Sequence, residues 1–176
     1  PQLAADLAFI ASNAKAGPMM QPAVTWIGHA STLVQFGGLN VLTDPVFSER
    51  ASPLSFMGPK RHVAPGLALA ELPRIDLVLI SHNHYDHLDA ASVDHLAAQA
   101  GGPPLFIVPL ELLAWLQGRG IRNGLELDEK GQALERSFLK SPMEITRVTS
   151  RFGQRFHPIL QREKKHEGID YGADLM

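Results

Sequence analysis

The sequence contains no cysteine, which excludes disulfides and thiolate metal sites and leaves the redox compartment undecided. Any metal must be held by histidine or carboxylate. Net charge is nearly absent as well, at -2 with a sequence pI of about 6.5, so no global field draws the chain to nucleic acid or to an anionic bilayer. Long apolar runs are missing too. The best stretch, Ile75 to Ile80, is broken by Asp76 and is far too short to cross a membrane, and the start Pro1-Gln2-Leu3-Ala4 has no charged region of a signal peptide. What remains is a 176-residue chain that is 45% hydrophobic, enough to bury one substantial core.

Hydrophobic patterning predicts an α/β chain. A weak helix around Ala4 to Ser12 ends at Gly17-Pro18, and residues 1–22 are read as a helix and linker. Val24 to Ile27, Ser31 to Phe36 and Asn40 to Thr43 are expected as an antiparallel meander, turning at Gly37-Gly38. A long loop from Pro45 to Gly66 follows. Its apolar patch around Phe56-Met57 is expected to fold onto the core, with lipid contact as the alternative. A short helix is expected before Pro73. The Ile75 to Ile80 run has the pattern of a strand covered on both faces. Asp89 is an N-cap for a helix whose Val93, Leu96, Ala97 and Ala100 share one face. Leu105 to Val108 and Leu110 to Gln117 then predict a second buried strand and helix, hence a parallel pair beside the meander. After about Asp128 the character changes, because nine of the 16 Lys and Arg residues lie between Lys130 and Lys165. The boundary is placed between residues 126 and 127.

The chemistry concentrates in His82-Asn83-His84-Tyr85-Asp86-His87, directly after the Ile75 to Ile80 strand. That places it on a loop at a strand's carboxyl end, where open α/β sheets build their sites. Imidazole nitrogen and carboxylate oxygen suit zinc, manganese or iron. Such a spacing arises by chance in roughly one in ten thousand chains of this length. His29 follows a strand and a glycine, and either lines the pocket or bonds to backbone. Lys60 and Arg61 either attract a phosphate or are solvated, and His95 is expected at the surface.

These residues carry a resemblance. His82-x-His84-x-Asp86-His87, with Thr25 to Thr32, Leu42 to Phe47 and Gly58 to Arg61 around it, resembles the metallo-β-lactamase superfamily, in the branch of N-acylphosphatidylethanolamine-hydrolysing phospholipase D and the L-ascorbate-6-phosphate lactonases. The resemblance covers about residues 23–123. It implies the first half of an αββα sandwich, a mixed sheet with flanking helices, in residues 23–126. It implies that His82 and His84 bind one divalent ion, zinc foremost, while Asp86 and His87 bind a second, Asp86 being the expected catalytic residue. Asp44 is implied to orient the loop from behind. The implied reaction is metal-dependent hydrolysis of a phosphodiester, with a small molecule or a phospholipid as substrate. Such a protein would be cytoplasmic or peripheral to a membrane.

A second resemblance begins after Gln132. Ser137 to Pro142, Arg147 to Gly153, Arg155 to Leu160 and His166 to Ala173 are similar to the opening of lysostaphin-type zinc endopeptidase domains, which act on peptidoglycan in the cell envelope. It implies a short, mainly β segment in residues 127–176, with His166 and Asp170 as a second metal site and His157 in a structural position. Both family patterns require later ligands that this sequence does not supply. The chain is therefore expected to be a fusion of two partial domains, weakly active or inactive, that self-associates through an uncovered sheet face.

Overall fold

In a computed structural model the protein is described for residues 4–133 and for strand segments at 147–150, 153–157, 162–166 and 170–172. It divides into two compact units, Pro1–Arg136 and Ser137–Met176. The first holds a six-stranded mixed sheet whose strands lie side by side in chain order. Strands β1 (Ala23–Gly28), β2 (Ser31–Phe36) and β3 (Leu39–Thr43) form the antiparallel meander. Strands β4 (Leu77–Leu79), β5 (Leu105–Pro109) and β6 (Gly124–Leu127) then add in parallel to β3. Parallel neighbours need crossovers: the long loop 44–76 joins β3 to β4, α2 (Ala90–Ala97) lies between β4 and β5, and α3 (Leu112–Gly118) between β5 and β6, while α1 (Leu7–Ala14) precedes the sheet.

The alternation along each strand decides what is covered. Leu33, Leu42, Val78, Phe106 and Val108 are buried, and with Ile10 of α1, Val93 and Leu96 of α2, and Leu112, Leu113 and Leu116 of α3 they make one core. Their neighbours Val34, Val41, Leu77, Leu79, Ile107 and Leu125 point to the other face and are only half-buried. A polar network is set into the core: fully buried Gln35 donates to Ile10 O (3.1 Å) and Asn40 Oδ1 (2.9 Å), and accepts from Asn13 Nδ2 (3.2 Å). It fastens α1 to the sheet, because any one of these groups left alone would be a buried unpaired amide.

The meander, the parallel pair and the Asp89-capped helix stand where the hydrophobic pattern puts them. The helix expected before Pro73 is a single 3-10 turn, Leu69–Glu71, because Pro73 lacks the N–H that a longer helix needs. The Phe56-Met57 patch does not fold onto the core: Phe56 is 76% and Met57 58% exposed. Strand β6 was not anticipated, its four residues being Gly-Leu-Glu-Leu. It forms because α3 lies close above it, where a Cβ on Gly124 would meet Leu113 Cδ1 at 2.7 Å. The second unit pairs β7 (Arg147–Ser150) with β10 (Asp170–Gly172), and β8 (Gly153–His157) with β9 (Arg162–His166), both antiparallel. No helix among the described residues is long and apolar enough to cross a membrane.

Candidate metal centre

Strands β1, β3 and β4 run in one direction, so their carboxyl ends share one edge of the sheet. From that edge come Gly28 at the end of β1 with His29 after it, Asp44 after β3, and Ser81 to His87 after β4. The last segment curls tightly, the backbone N–H groups of His87 (2.9 Å) and Leu88 (2.7 Å) both donating to His84 O. That curl brings the rings together. Centroids lie 4.6 Å apart for His82 and His84 and 4.0 Å for His82 and His87.

Asp44 holds the loop from beneath. It is 7% exposed and accepts from Ser81 N–H (2.7 Å), the Ser81 hydroxyl (2.7 Å) and His87 Nδ1 (2.9 Å). A carboxylate only accepts, so His87 carries its proton on Nδ1 and leaves the Nε2 lone pair toward the open side. Ser81 passes the same order on. Its hydroxyl donates to Asp44 and faces His82 Nδ1 at 2.9 Å, so Nδ1–H of His82 donates to it and Nε2 of His82 is free to face His84 Nδ1 at 3.1 Å. Ser81 was not among the residues singled out from the sequence. Its signal was position alone, between a buried strand and the first histidine.

On the other side of the loop His29 Nε2 lies 3.0 Å and His87 Nε2 3.8 Å from Asp86 Oδ2. The three residues offer ligand atoms that all lie within 4.8 Å of one another. Partial burial would raise the Asp86 carboxyl. Its own backbone N–H, the hydrogen bond with His29 and the charges of His87 and His29 outweigh this and hold it below the ordinary carboxylate value. Asp86 is thus ready as an anionic donor at neutral pH.

Asp89 anchors the construction. It caps α2 through Ala91 N–H (3.2 Å) and also accepts from Ser92 Oγ (2.6 Å), Phe47 N–H (3.1 Å), Ser48 N–H (2.9 Å) and Ser48 Oγ (2.8 Å). Burial would raise its carboxyl too, but the Ser92 and Ser48 hydroxyls and the Ser48 and Phe47 N–H groups keep it low and ionised. The loop after β3 is therefore tied to the helix after the histidines.

A cavity of about 540 Å³ opens beside His29 and Asp86, lined among others by Trp26, Val46, Pro59, Arg61 and Val63. Its size suits a small-molecule site and its walls are mainly apolar. Arg61 donates to Val46 O at 2.6 Å, and Lys60 pairs with Glu49 at 2.6 Å. His95 is exposed, as expected. His157, His166 and Asp170 fall in β8, β9 and β10, and their side chains lie outside the described residues.

A family model described as beta-lactamase superfamily domain matches residues 39–169. An uncharacterized protein of Mycobacterium tuberculosis is 42% identical over 127 residues, 71% of this chain and 34% of that protein. N-acyl-phosphatidylethanolamine-hydrolyzing phospholipase D 1 of Caenorhabditis elegans is 45% identical over 98 residues, 55% of this chain and 27% of that one. A metal-dependent hydrolase of Herpetosiphon aurantiacus is 36% identical over 104 residues, 58% of this chain and 37% of that one. The chain thus spans about a third of the length of these curated relatives.

Proposed function

The chain belongs to the metallo-β-lactamase superfamily, its family model covering residues 39–169, and from that premise we propose that it is a metal-dependent phosphodiester hydrolase whose substrate carries an apolar group. The observation that carries the reading is the packing of His82 against His84 and His87, and of His87 beside Asp86, at one sheet edge, with the His82 and His87 rings oriented by Ser81 and Asp44.

The donor set fits zinc, and manganese or iron by the same ligand types. His82 and His84 would hold one ion, Asp86 and His87 a second. When bound, such ions lower the pKa of water and neutralise charge on a phosphoryl oxygen. The chain's own part is to keep the imidazole tautomers set through Asp44, and to shield the reacting group within the cavity beside Asp86. Arg61 in the cavity wall brings positive charge toward an anionic substrate.

A phospholipid is the substrate class that this surface suits. Leu54, Phe56, Met57 and Val63 are exposed on the same loop that supplies Pro59 to Ala64 to the cavity, an arrangement fitted to an acyl chain or a lipid surface. The phospholipase D similarity in Caenorhabditis elegans points the same way. The peptidase reading of residues 127–176 rests on sequence words alone, and the family match runs through most of that segment. The half-exposed apolar sheet face favours self-association.

Metal analysis of the purified protein beside His82→Ala and Asp86→Ala tests the first step. Bound zinc in the wild type and a lower content in both variants is expected, and equal content in all three refutes the reading. Turnover of a chromogenic phosphodiester that a chelator abolishes and zinc restores tests the second. With a partial set of donors among the described residues, the expected rate is low.

A further inference from the structure

Neither ion site assigned above, His82 with His84 or Asp86 with His87, uses His29. We propose that it is a direct ligand, forming with Asp86 and His87 a site of two imidazole nitrogens and one carboxylate oxygen for a divalent first-row ion. This rests on the metal-binding reading above.

The distances are those of three donors that can share one ion. Donors about 2.0–2.1 Å from a tetrahedral ion stand about 3.3 Å apart, and the 3.0 Å and 3.8 Å separations of His29 Nε2 and His87 Nε2 from Asp86 Oδ2 lie on either side of that value. His87 commits its Nδ1 proton to Asp44, so in the neutral ring the nitrogen with a lone pair for an ion is Nε2, the one facing Asp86 Oδ2 at 3.8 Å.

The backbone is also shaped to deliver His29. Strand β1 shifts register between Trp26 and Gly28, and bulges of this kind re-aim side chains next to active sites. Gly28 has φ 146° and His29 φ 51°, the latter a left-handed conformation uncommon outside glycine that His accepts more readily than most residues. Trp26 Nε1–H closes the turn by donating to His29 O at 3.0 Å. His29 and Asp86 both line the cavity, so a site of three protein donors would keep its remaining positions on the substrate side.

Titration of the metal-free protein with Co²⁺, followed by d–d absorption and chelator competition, tests the assignment in wild type, His29→Ala, His29→Asn and His87→Ala. Asn tolerates positive φ, so His29→Asn keeps the turn that His29→Ala is free to relax. Outer partners of a metal site cost 10–100-fold in affinity. Loss of a direct ligand is expected to weaken the His87-dependent step by more than about 100-fold and to change band intensity. Unchanged affinity, or a smaller loss with an unchanged spectrum, overturns the proposal. In the wild type, zinc is expected to shift the His29 Nε2 resonance in ¹H–¹⁵N NMR as it shifts that of His87; an unmoved His29 also overturns it. If binding depends on His87 but not on His29, only this inference falls. If the wild type takes up no Co²⁺, the metal reading falls with it.

Discussion

Asp44→Asn exchanges one oxygen for an NH₂ group and should reverse the proton order of the site without changing its shape. The backbone N–H of Ser81 can only donate, so the remaining amide oxygen must stay where Oδ1 now accepts it at 2.7 Å. The new NH₂ then occupies the Oδ2 position, 2.7 Å from Ser81 Oγ and 2.9 Å from His87 Nδ1. The serine hydroxyl can rotate and accept. His87 has no such freedom: to accept at Nδ1 it must move its proton to Nε2, the nitrogen that faces Asp86. The left-handed backbone at Asp44, φ 35°, is one that asparagine accepts. The expected cost is that of losing an outer partner, about 10–100-fold in metal affinity, or about 1.4–2.7 kcal/mol. Folding stability should fall by about 2 kcal/mol through the lost charge-assisted bonds. Calorimetric titration with Zn²⁺ reads the first and urea denaturation of the metal-free protein the second. Wild-type Zn²⁺ affinity in a folded Asp44→Asn protein would refute the tautomer assignment.

Asp89→Ala removes a helix cap, strands the Ser48 N–H and leaves the Phe47 N–H with Ser92 Oγ alone, and should cost about 2 kcal/mol in a urea melt; an unchanged midpoint would mean that water replaces the carboxylate. Gln35→Ala opens the network between α1 and the sheet, leaving Asn13 and Asn40 short of partners, and is expected to cost about 1–3 kcal/mol by the same measurement. Val41→Asp places a charge in the middle of the half-exposed apolar sheet face. Sedimentation equilibrium should show the wild type associating and Val41→Asp monomeric, and a wild type that is monomeric at all concentrations would remove self-association.

Local pattern was enough to place the His82 to His87 loop. The apolar run after Pro73 predicts a strand, and the three histidines and Asp86 that follow it need only a tight curl to converge, which short-range hydrogen bonds to His84 O provide. The same holds for the meander and the Asp89 cap, whose signals lie within a few residues of each other. Strand β6 was illegible because its stability comes from α3 above it and β5 beside it, and not from its own four residues.

What the sequence determined by itself was the donor chemistry: without cysteine, an ion could be held only by nitrogen and oxygen, and His82 to His87 was where they were dense. Tertiary structure decided how distant residues meet that loop. Asp44 and His29 reach it because β1, β3 and β4 end at one sheet edge, bringing positions 57 residues apart to 3.0 Å in the His29–Asp86 pair. Strand direction and register, which no local spacing records, set that meeting.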